Sequence, residues 1–283
     1  MSKVYARGEH GPVGKLGIYT LLVVFLLLFS FPVFWMVSTS LKSMTEIHQI
    51  PQSWIPSDFL WQNYVEVFKM APFGTYLWNT IWYTGITVIG TALTSSLVAY
   101  AFARLRARGS QFLFGVVLST MMLPQQVVMI PQYLLFNKLG WTDSYLPLVV
   151  PSFGASAFSI FLLRQFYLGI PRDMDEAVKI DGGGYFTIYC KIILPLSVPA
   201  LATVGILEYM FRWNDLMGPL IYVHSTDKYP LALGLANLTA EQGATPWNVL
   251  MAASVMAVSI PLLLFFLAQK YFIKGIAITA SKG

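Results

Sequence analysis

Uncharged apolar runs, each long enough to cross a bilayer, constrain this chain more than any other feature. A crossing helix needs about 20 predominantly apolar residues, and a chain in lipid must satisfy its own backbone hydrogen bonds, which favours helices. Charge is sparse to match, since 11% of the residues are charged against about 25% in an average soluble domain. The runs lie between the charged residues Lys15–Lys42, Lys69–Arg104, Arg108–Lys138, Asp143–Arg164 and Glu241–Lys270.

A sixth apolar stretch follows the fourth run, although it carries Glu208, Arg212 and Asp215. Charged residues inside a membrane segment usually face the interior of the helix bundle or water. We therefore predict an all-α integral membrane protein with six transmembrane helices. The predicted helices span residues 16–37, 76–103, 112–135, 145–166, 198–222 and 248–270.

The first apolar run predicts a retained helix and not a cleaved signal peptide. It is longer than the apolar part of a signal peptide, and no small-x-small cleavage site follows it. We expect three parts: an N-terminal tail, first helix and outer loop over 1–70, a membrane core over 71–270, and a C-terminal tail over 271–283.

The basic residues predict the orientation in the membrane. Cytoplasmic loops carry an excess of Lys and Arg, and six helices place both termini on one side. That side collects thirteen basic residues and the other side four. We therefore expect both termini in the cytoplasm of a multi-pass protein of the bacterial or archaeal inner membrane. The four on the outer side are Lys42, Lys69, Lys138 and Lys228.

Metal and catalytic sites are not indicated. Cys190 is the single cysteine, and His10, His48 and His224 have no ligand spacing. The chain has no phosphate-binding loop of the form GxxxxGK[ST], so it is not an ATPase itself. We expect neither a catalytic residue nor a bound cofactor in this chain.

One polar segment between the fourth and fifth predicted helices is charge-dense. Pro171 suits a first helical position, and the acidic residues after it favour a helix N-terminus. Met174, Ala177 and Val178 form a narrow apolar face, and three glycines from Gly182 stop the helix. A second short helix is predicted from Tyr185 to Ile192, ending before Pro195. Two interpretations fit this pattern: a rigid protruding pair of helices that contacts a separate protein, or an ordinary loop at the membrane interface.

The same segment resembles the EAA motif of the membrane subunits of bacterial ABC importers. Glu176 and Ala177 match its first two positions, Gly182 its glycine, and Ile192, Leu194 and Pro195 its I-x-L-P. Val178 departs from the second alanine but keeps the apolar character. Within this family the chain is most similar to the sugar-type permeases such as the second membrane subunit of the maltose importer. That resemblance is carried by Ala99–Arg104, Met121–Pro124, Trp213–Asp215 and Tyr271–Gly275.

The resemblance implies a type I ABC importer permease fold whose coupling loop, about 168–196, contains a coupling helix that sits in a groove of an ATPase. By their charge we add that Asp173 and Asp175 pair with basic groups on the ATPase. The predicted coupling positions are Asp173, Asp175, Glu176, Ala177, Val178, Asp181, Gly182, Leu194 and Pro195.

The resemblance also implies the function and the partners. The chain forms, with a homologous permease in a heterodimer, the path for a di- or oligosaccharide. An extracytoplasmic sugar-binding protein delivers the sugar, and two ATP-binding subunits, which hold ATP and Mg, drive transport. Membrane lipid surrounds it, and no nucleic acid is involved. The alternative is a secondary transporter or channel, which would need an inverted repeat or an ionisable relay along several helices.

Other candidate sites are weaker, and each has an alternative. Gln125, Asn214 and Asp215 are possible contacts of the sugar in the path, whereas Glu208 and Arg212 are spaced to pair on one helix face, as a packing lock between subunits. The outer loop 223–247 either contacts the binding protein or is a solvated connector. Its candidate contacts are Asn237, Glu241 and Gln242.

Overall fold

The structure is a computed structural model that describes residues 12–241 and 246–280, and within these ranges it is helical without any strand. The helices in chain order are α1 Pro12–Ser40, α2 Met44–Ile47, α3 Gln62–Met70, α4 Phe73–Arg104, α5 Ser110–Ser119, α6 Gln125–Lys138, α7 Leu146–Val149, α8 Ala157–Leu168, α9 Asp173–Ile180, α10 Tyr185–Ile188, α11 Leu194–Leu196, α12 Val198–Trp213, α13 Met217–Tyr222, α14 Leu231–Glu241 and α15 Trp247–Ala280.

Among the described residues, four segments are long and apolar enough to cross a membrane, and two helix pairs bent by more than 40° bring the number to six if each pair is one span. The four segments are Gly14–Ser40, Phe73–Arg104, Leu146–Leu168 and Trp247–Leu267. The bent pairs are Ser110–Met122 with Gln125–Lys138, and Tyr185–Leu196 with Val198–Trp213.

The prediction of one continuous helix over 112–135 was wrong. The two halves meet at 95° across Leu123 and Pro124. Pro124 has no N–H to donate, and the residue before a proline is pushed out of the helical conformation. Leu123 accordingly has φ −79° and ψ 115°. Pro131, in contrast, is accommodated inside α6.

Two further predicted helices are also interrupted. The helix predicted over 198–222 ends at Trp213 and resumes at Met217. At the restart the carboxylate of Asp215 accepts a hydrogen bond from the Gly218 amide at 3.0 Å, which satisfies one of the free N–H groups of the new helix. The helix predicted over 145–166 starts as two short helical pieces, each with a proline in its first turn, before α8 begins at Ala157.

The chain divides into two compact units, residues 1–70 with 242–256, and residues 71–241 with 257–283. The functional division predicted from the sequence, into 1–70, 71–270 and 271–283, remains a prediction. In the first unit the buried Asn63 amide nitrogen donates to the carbonyls of Ser40 and Lys42 at 2.9 and 3.0 Å. Its oxygen accepts from Asn248 at 3.0 Å, so one side chain joins three segments of that unit.

Helix α4 is the centre of the second unit. It packs against α8 and α12 through a buried cluster that includes Ala99 and Ala103, and small residues of this kind let membrane helices approach closely. Gly90 serves the same purpose, since an added Cβ would lie 2.9 Å from Ser152 Oγ. A second cluster around the fully buried Tyr83 contains Phe136, Tyr145, Leu148, Tyr222 and Val223.

Residues 231–241 of the predicted outer loop 223–247 form the helix α14. Leu231 and Leu233 are 1% and 5% exposed, so this helix has a buried apolar side. Its start is held by α4, where Thr80 Oγ1 accepts from the Leu231 amide at 2.7 Å. The Asn79 amide donates to the carbonyls of Asp227 and Tyr229 at 2.9 and 3.1 Å.

An ion pair and several hydrogen bonds of Asp143 hold residues 224–228 against the turn between α6 and α7. Asp143, with φ 52°, accepts from Lys228 Nζ at 2.8 Å, from the amides of His224 and Ser225 at 3.0 and 2.9 Å, and from Ser225 Oγ at 2.5 Å. The hydrogen bond from the Lys228 ammonium, followed by those from Ser225 and His224, lowers the pKa of the Asp143 carboxyl below its usual range.

We expect Asp143→Asn to lower thermal stability at neutral pH by about 1 kcal/mol, as for a partly exposed charged pair. Asparagine tolerates the left-handed backbone, so the change isolates the charge. Because the folded-state pKa of Asp143 lies below its ordinary value of 3.8, its stabilisation is present above that pH and is lost as the pH falls below it.

Melting of the purified protein in detergent between pH 7 and pH 3 measures this difference, which should shrink towards the acid end. Asp227→Asn, an exposed acid in the same segment, is the matched control and should melt like the wild type throughout. A wild-type and Asp143→Asn difference that persists unchanged at pH 3 would contradict the charge as its cause.

Candidate coupling site

Helix α9 ends in a glycine cap that satisfies its last carbonyls. Gly182 lies in the left-handed region with φ 81°. Its amide donates to the Lys179 carbonyl at 3.0 Å, and the Gly183 amide donates to the Val178 carbonyl at 2.8 Å, which is the Schellman pattern. The predicted stop at the glycines is confirmed, whereas the helix begins at Asp173, two residues after the predicted Pro171.

Val178 and Gly183 are matched to each other. A Cβ added at Gly183 would lie 2.5 Å from Val178 Cγ1 and 2.9 Å from the Val178 carbonyl oxygen. Val178 also packs against the buried cluster of α4 and α8. Val178, which stands in place of the second alanine of the motif, therefore contacts both the glycine turn and the buried cluster.

The second helix of the segment starts at Tyr185 as predicted, but it does not end before Pro195. The chain continues through a π-helical turn, Tyr189–Ile193, into α11, where Pro195 lies. In that turn the Leu194 amide donates to the Tyr189 carbonyl, five residues back. A π-turn shifts the register of the backbone bonds, which accommodates a residue that has no N–H to donate.

The predicted apolar face of α9 is divided between two environments. Val178 is partly buried, whereas Met174 is 38% exposed, Ala177 is exposed and Ile180 is 85% exposed. The following residues Tyr185 and Phe186 are 57% and 72% exposed. We call these five exposed side chains the coupling patch: Met174, Ala177, Ile180, Tyr185 and Phe186.

The acidic residues around the coupling patch also differ in environment. Asp173, Glu176 and Asp181 are exposed. The Asp175 side chain is 13% exposed, and its Oδ2 lies 3.4 Å from Nη1 of Arg104 in the same chain. The geometry thus argues against the predicted pairing of Asp175 with an ATPase, while the exposed Asp173 keeps that prediction open.

Leu194 and Pro195, the other predicted coupling positions, lie on the side of the segment that joins α12. Leu194 is partly buried and packs against the core cluster, and Pro195 is exposed. Leu194 therefore anchors the segment to the bundle, and a role of Leu194 and Pro195 in coupling stays a prediction.

A row of polar side chains on α4, which sequence analysis missed, holds this segment in place. Ser96 Oγ lies 2.8 Å from the hydroxyl of Tyr167 and 2.9 Å from that of Tyr189. Tyr100 donates to the Tyr185 carbonyl at 2.8 Å. Arg104 is the third member of the row. Their spacing of four residues was the signal available in the sequence, since it places them on one helix face.

The charges predicted in the fifth span form a cluster within this chain. Arg212 Nε donates to Glu208 Oε1 at 2.7 Å, so the predicted pair is confirmed. Asp215 Oδ2 accepts from Tyr83 of α4 at 3.2 Å and lies 3.9 Å from Arg212 Nη1. Tyr83, which sequence analysis did not single out, joins this cluster to α4.

The remaining predicted sugar contacts are not part of that cluster. Gln125 is exposed at the start of α6. Asn214 is exposed and its amide donates to the Met210 carbonyl at 2.7 Å. The three predicted path residues are thus separate features, and a role in sugar contact stays a prediction for each.

The predicted contacts of a binding protein fall on α14 and beyond. Asn237 is partly buried on that helix. The Glu241 side chain and the whole of Gln242 lie outside the described residues, as do the side chains of the tail 271–283. These positions remain predictions.

The family profile described as "binding-protein-dependent transport system inner membrane component" matches residues 93–278, which contain the whole coupling segment. The chain belongs to this family. It is therefore the non-catalytic permease subunit of an ABC importer, a multi-pass inner membrane protein that works with a further permease, an ATPase and a binding protein. This membership decides against the alternative of a secondary transporter or channel.

Individual relatives cover nearly the whole chain. The arabinooligosaccharides transport system permease protein AraQ of Halalkalibacterium halodurans is 33% identical over 89% of this chain and 91% of its own length. The sn-glycerol-3-phosphate transport system permease protein UgpE of Brucella melitensis is 30% identical over 96% of this chain and 99% of its own length.

A solved structure gives the fold. A bacterial ABC transporter involved in the import of the acidic polysaccharide alginate has a chain that superposes with a TM-score of 0.82 at 27% identity, covering 96% of this chain and 100% of that chain. The predicted fold class, an all-α type I ABC importer permease, is confirmed.

We expect Gly182→Val to uncouple this permease from its ATPase while leaving insertion into the membrane intact. A side chain in the left-handed region costs about 1–2 kcal/mol, which loosens the cap of α9. Hydrogen exchange of the α9 amides should accelerate, and ATP-driven uptake by the assembled complex should fall several-fold.

Gly184→Ala is the matched control, because Gly184 has φ −85° and an added Cβ would meet no atom within 4 Å. It should transport like the wild type. Normal uptake by Gly182→Val would refute the need for a left-handed cap.

Proposed function

We propose that this chain is the permease of an ABC importer for a neutral di- or oligosaccharide. The arabinooligosaccharide permease among its relatives supports the sugar class, whereas the sn-glycerol-3-phosphate permease shows that the family also serves a phosphorylated polyol. The choice between the two depends on the charge available in the fifth span.

The environment of Arg212 favours a neutral saccharide over a phosphorylated substrate. Arg212 is the single basic residue between Val198 and Tyr222, and recognition of a phosphate group favours an arginine or lysine with free N–H donors. Arg212 is already held by Glu208 at 2.7 Å, with the Asp215 carboxylate 3.9 Å away. The cluster has one cation and two carboxylates, which suits hydroxyl groups better than an anion.

The coupling patch is the proposed contact with the ATPase. Apolar side chains exposed together on a soluble face mark an interaction site, and the coupling patch is rimmed by the exposed carboxylates of Asp173, Glu176 and Asp181. An ATPase groove with an apolar floor and basic rim would complement this surface. We propose that two such subunits hold the ATP and Mg, since this chain has no phosphate-binding loop of its own.

A homologous permease is the proposed partner in the membrane, as a heterodimer. Helix α1 supports this, since its residues 14–34 are exposed, including their leucines and phenylalanines, although Ser38, Thr39 and Ser40 at its end are buried. Lipid and a second permease are the two environments that such an all-round apolar helix tolerates.

The outer loop 223–247 is the proposed contact of the extracytoplasmic binding protein. Its described beginning is held to α4 by Asn79 and Thr80 and to Asp143 by hydrogen bonds and an ion pair, which supports a fixed position for residues 224–231. Asn237, Glu241 and Gln242 remain the proposed contact residues.

Transport by proteoliposomes that contain this chain, its partner permease, the two ATP-binding subunits and the binding protein tests the proposed function. We expect ATP-dependent uptake of radiolabelled maltotriose or arabinotriose, with ATP hydrolysis stimulated by the loaded binding protein. Uptake of sn-glycerol 3-phosphate instead would overturn the neutral-saccharide proposal. Uptake that persists without the ATPase subunits would overturn the importer mechanism.

We also propose that both termini and the coupling segment are cytoplasmic, on the basis of the distribution of basic residues. In a Cys190→Ser background, a cysteine in place of the exposed Thr226 should react with a membrane-impermeant maleimide in spheroplasts. A cysteine in place of the exposed Asp181 should react only after the membrane is opened. The reverse pattern would invert the topology.

A further inference from the structure

The junction between α4 and the coupling segment contains a buried ion pair. Arg104, the last residue of α4, has a side chain that is 3% exposed, and its partner Asp175 is 13% exposed. A guanidinium buried to this degree is costly unless it is paired. Breaking the ion pair between Arg104 and Asp175 is therefore unfavourable, and this opposes separation of α4 from α9.

Arg104 holds the start of α9 from two sides. Its Nη2 donates to the Ile170 carbonyl at 2.8 Å, just before the helix, and its Nη1 lies 3.4 Å from Asp175 Oδ2, in the first turn of the helix. Arg106 and Arg108 follow after the end of α4 and are exposed, whereas Arg104 is buried.

The pair retains unused hydrogen-bonding capacity on both sides. Arg104 Nε and Asp175 Oδ1 are buried and have no hydrogen-bond partner among the described residues. Separation of α9 from α4 would leave the guanidinium and the carboxylate out of water without the partner that compensates their charge. This cost resists independent movement of the two helices.

Helix α4 continues from this junction to the opposite end of the unit. It has 32 residues, which span about 48 Å at 1.5 Å per residue. Along it, Tyr83 contacts the Asp215 cluster, and Asn79 and Thr80 hold residues 227–231. A displacement of α9 that moves α4 therefore reaches both the charged cluster and the segment proposed to meet the binding protein.

We propose that Arg104 is a positioning residue for transport, whose ion pair with Asp175 makes α9 and α4 move together and so carries ATPase movement into the membrane. The proposal rests on the proposed function of α9 as the ATPase contact. Tyr100, which donates to the Tyr185 carbonyl, gives the second helix of the segment a parallel attachment to the same face of α4.

The first test is a double-mutant cycle in the complete reconstituted complex, with Arg104→Gln, Asp175→Asn and both together. The readout is maltotriose or arabinotriose taken up per ATP hydrolysed, in complexes shown by co-purification to retain the ATPase. We expect each single change to lower this ratio about tenfold and the double change to lower it no further. Arg108→Gln, with the same loss of charge at an exposed site, should keep the wild-type ratio.

Two results would overturn the proposal. One is a wild-type ratio in Arg104→Gln, and the other is a double variant that falls by the product of the two single effects. Arg104→Lys, which keeps the charge, should recover part of the ratio. If Arg104→Gln does not assemble, Asp175→Asn alone gives the decisive ratio, because it removes the carboxylate charge without a change of size.

A second readout needs no saccharide and therefore separates this proposal from the substrate class. A cysteine in place of Thr226, in the Cys190→Ser background, should change its labelling rate at least threefold when ATP and vanadate are added to the wild-type complex. Arg104→Gln should abolish that change, and Arg108→Gln should not. Equal changes in all three complexes, or none in the wild type, would overturn transmission through α4.

Discussion

The packing of α4 against α8 and α12 is the interaction on which the second compact unit depends. Apolar side chains gain little from association inside lipid, so close packing and hydrogen bonds between helices must supply the stabilisation. Ala99, Ala103 and Gly90 permit the close approach. Ser96, Tyr100 and Tyr83 add hydrogen bonds or polar contacts to other elements from the same helix.

Because α4 is held along its length, the surrounding helices can be broken without loss of order. Two helix starts after such breaks have a side-chain partner for a backbone amide: Asp215 for Gly218, and Thr80 for Leu231. In lipid an unpaired backbone group costs several kcal/mol, so these side chains permit the interruptions at their positions. The broken helices then place the charged cluster of Arg212 beside Tyr83.

The coupling segment combines exposed apolar side chains with a fixed base. Met174, Ile180 and Phe186 are exposed, while Val178 and Leu194 pack on the core. The glycine cap at Gly182 and the contacts of Arg104 fix that base through backbone geometry and a buried charge. The proposed role in coupling requires such a base, since a loosely held segment would not move the helices to which it is joined.

The sequence by itself determined the membrane class, the approximate positions of the apolar segments and the stop of the coupling segment at its glycines, because apolar runs and glycine caps are local properties of a chain. It also predicted the Glu208–Arg212 pair, since residues four apart share a helix face. Tertiary structure alone decided which acidic residues face outward and which face α4: Asp173 and Asp175 are two residues apart, and only the position of Arg104 distinguishes them. It likewise decided that 231–241 packs as a helix, because the partner that caps it, Thr80, is distant in the chain.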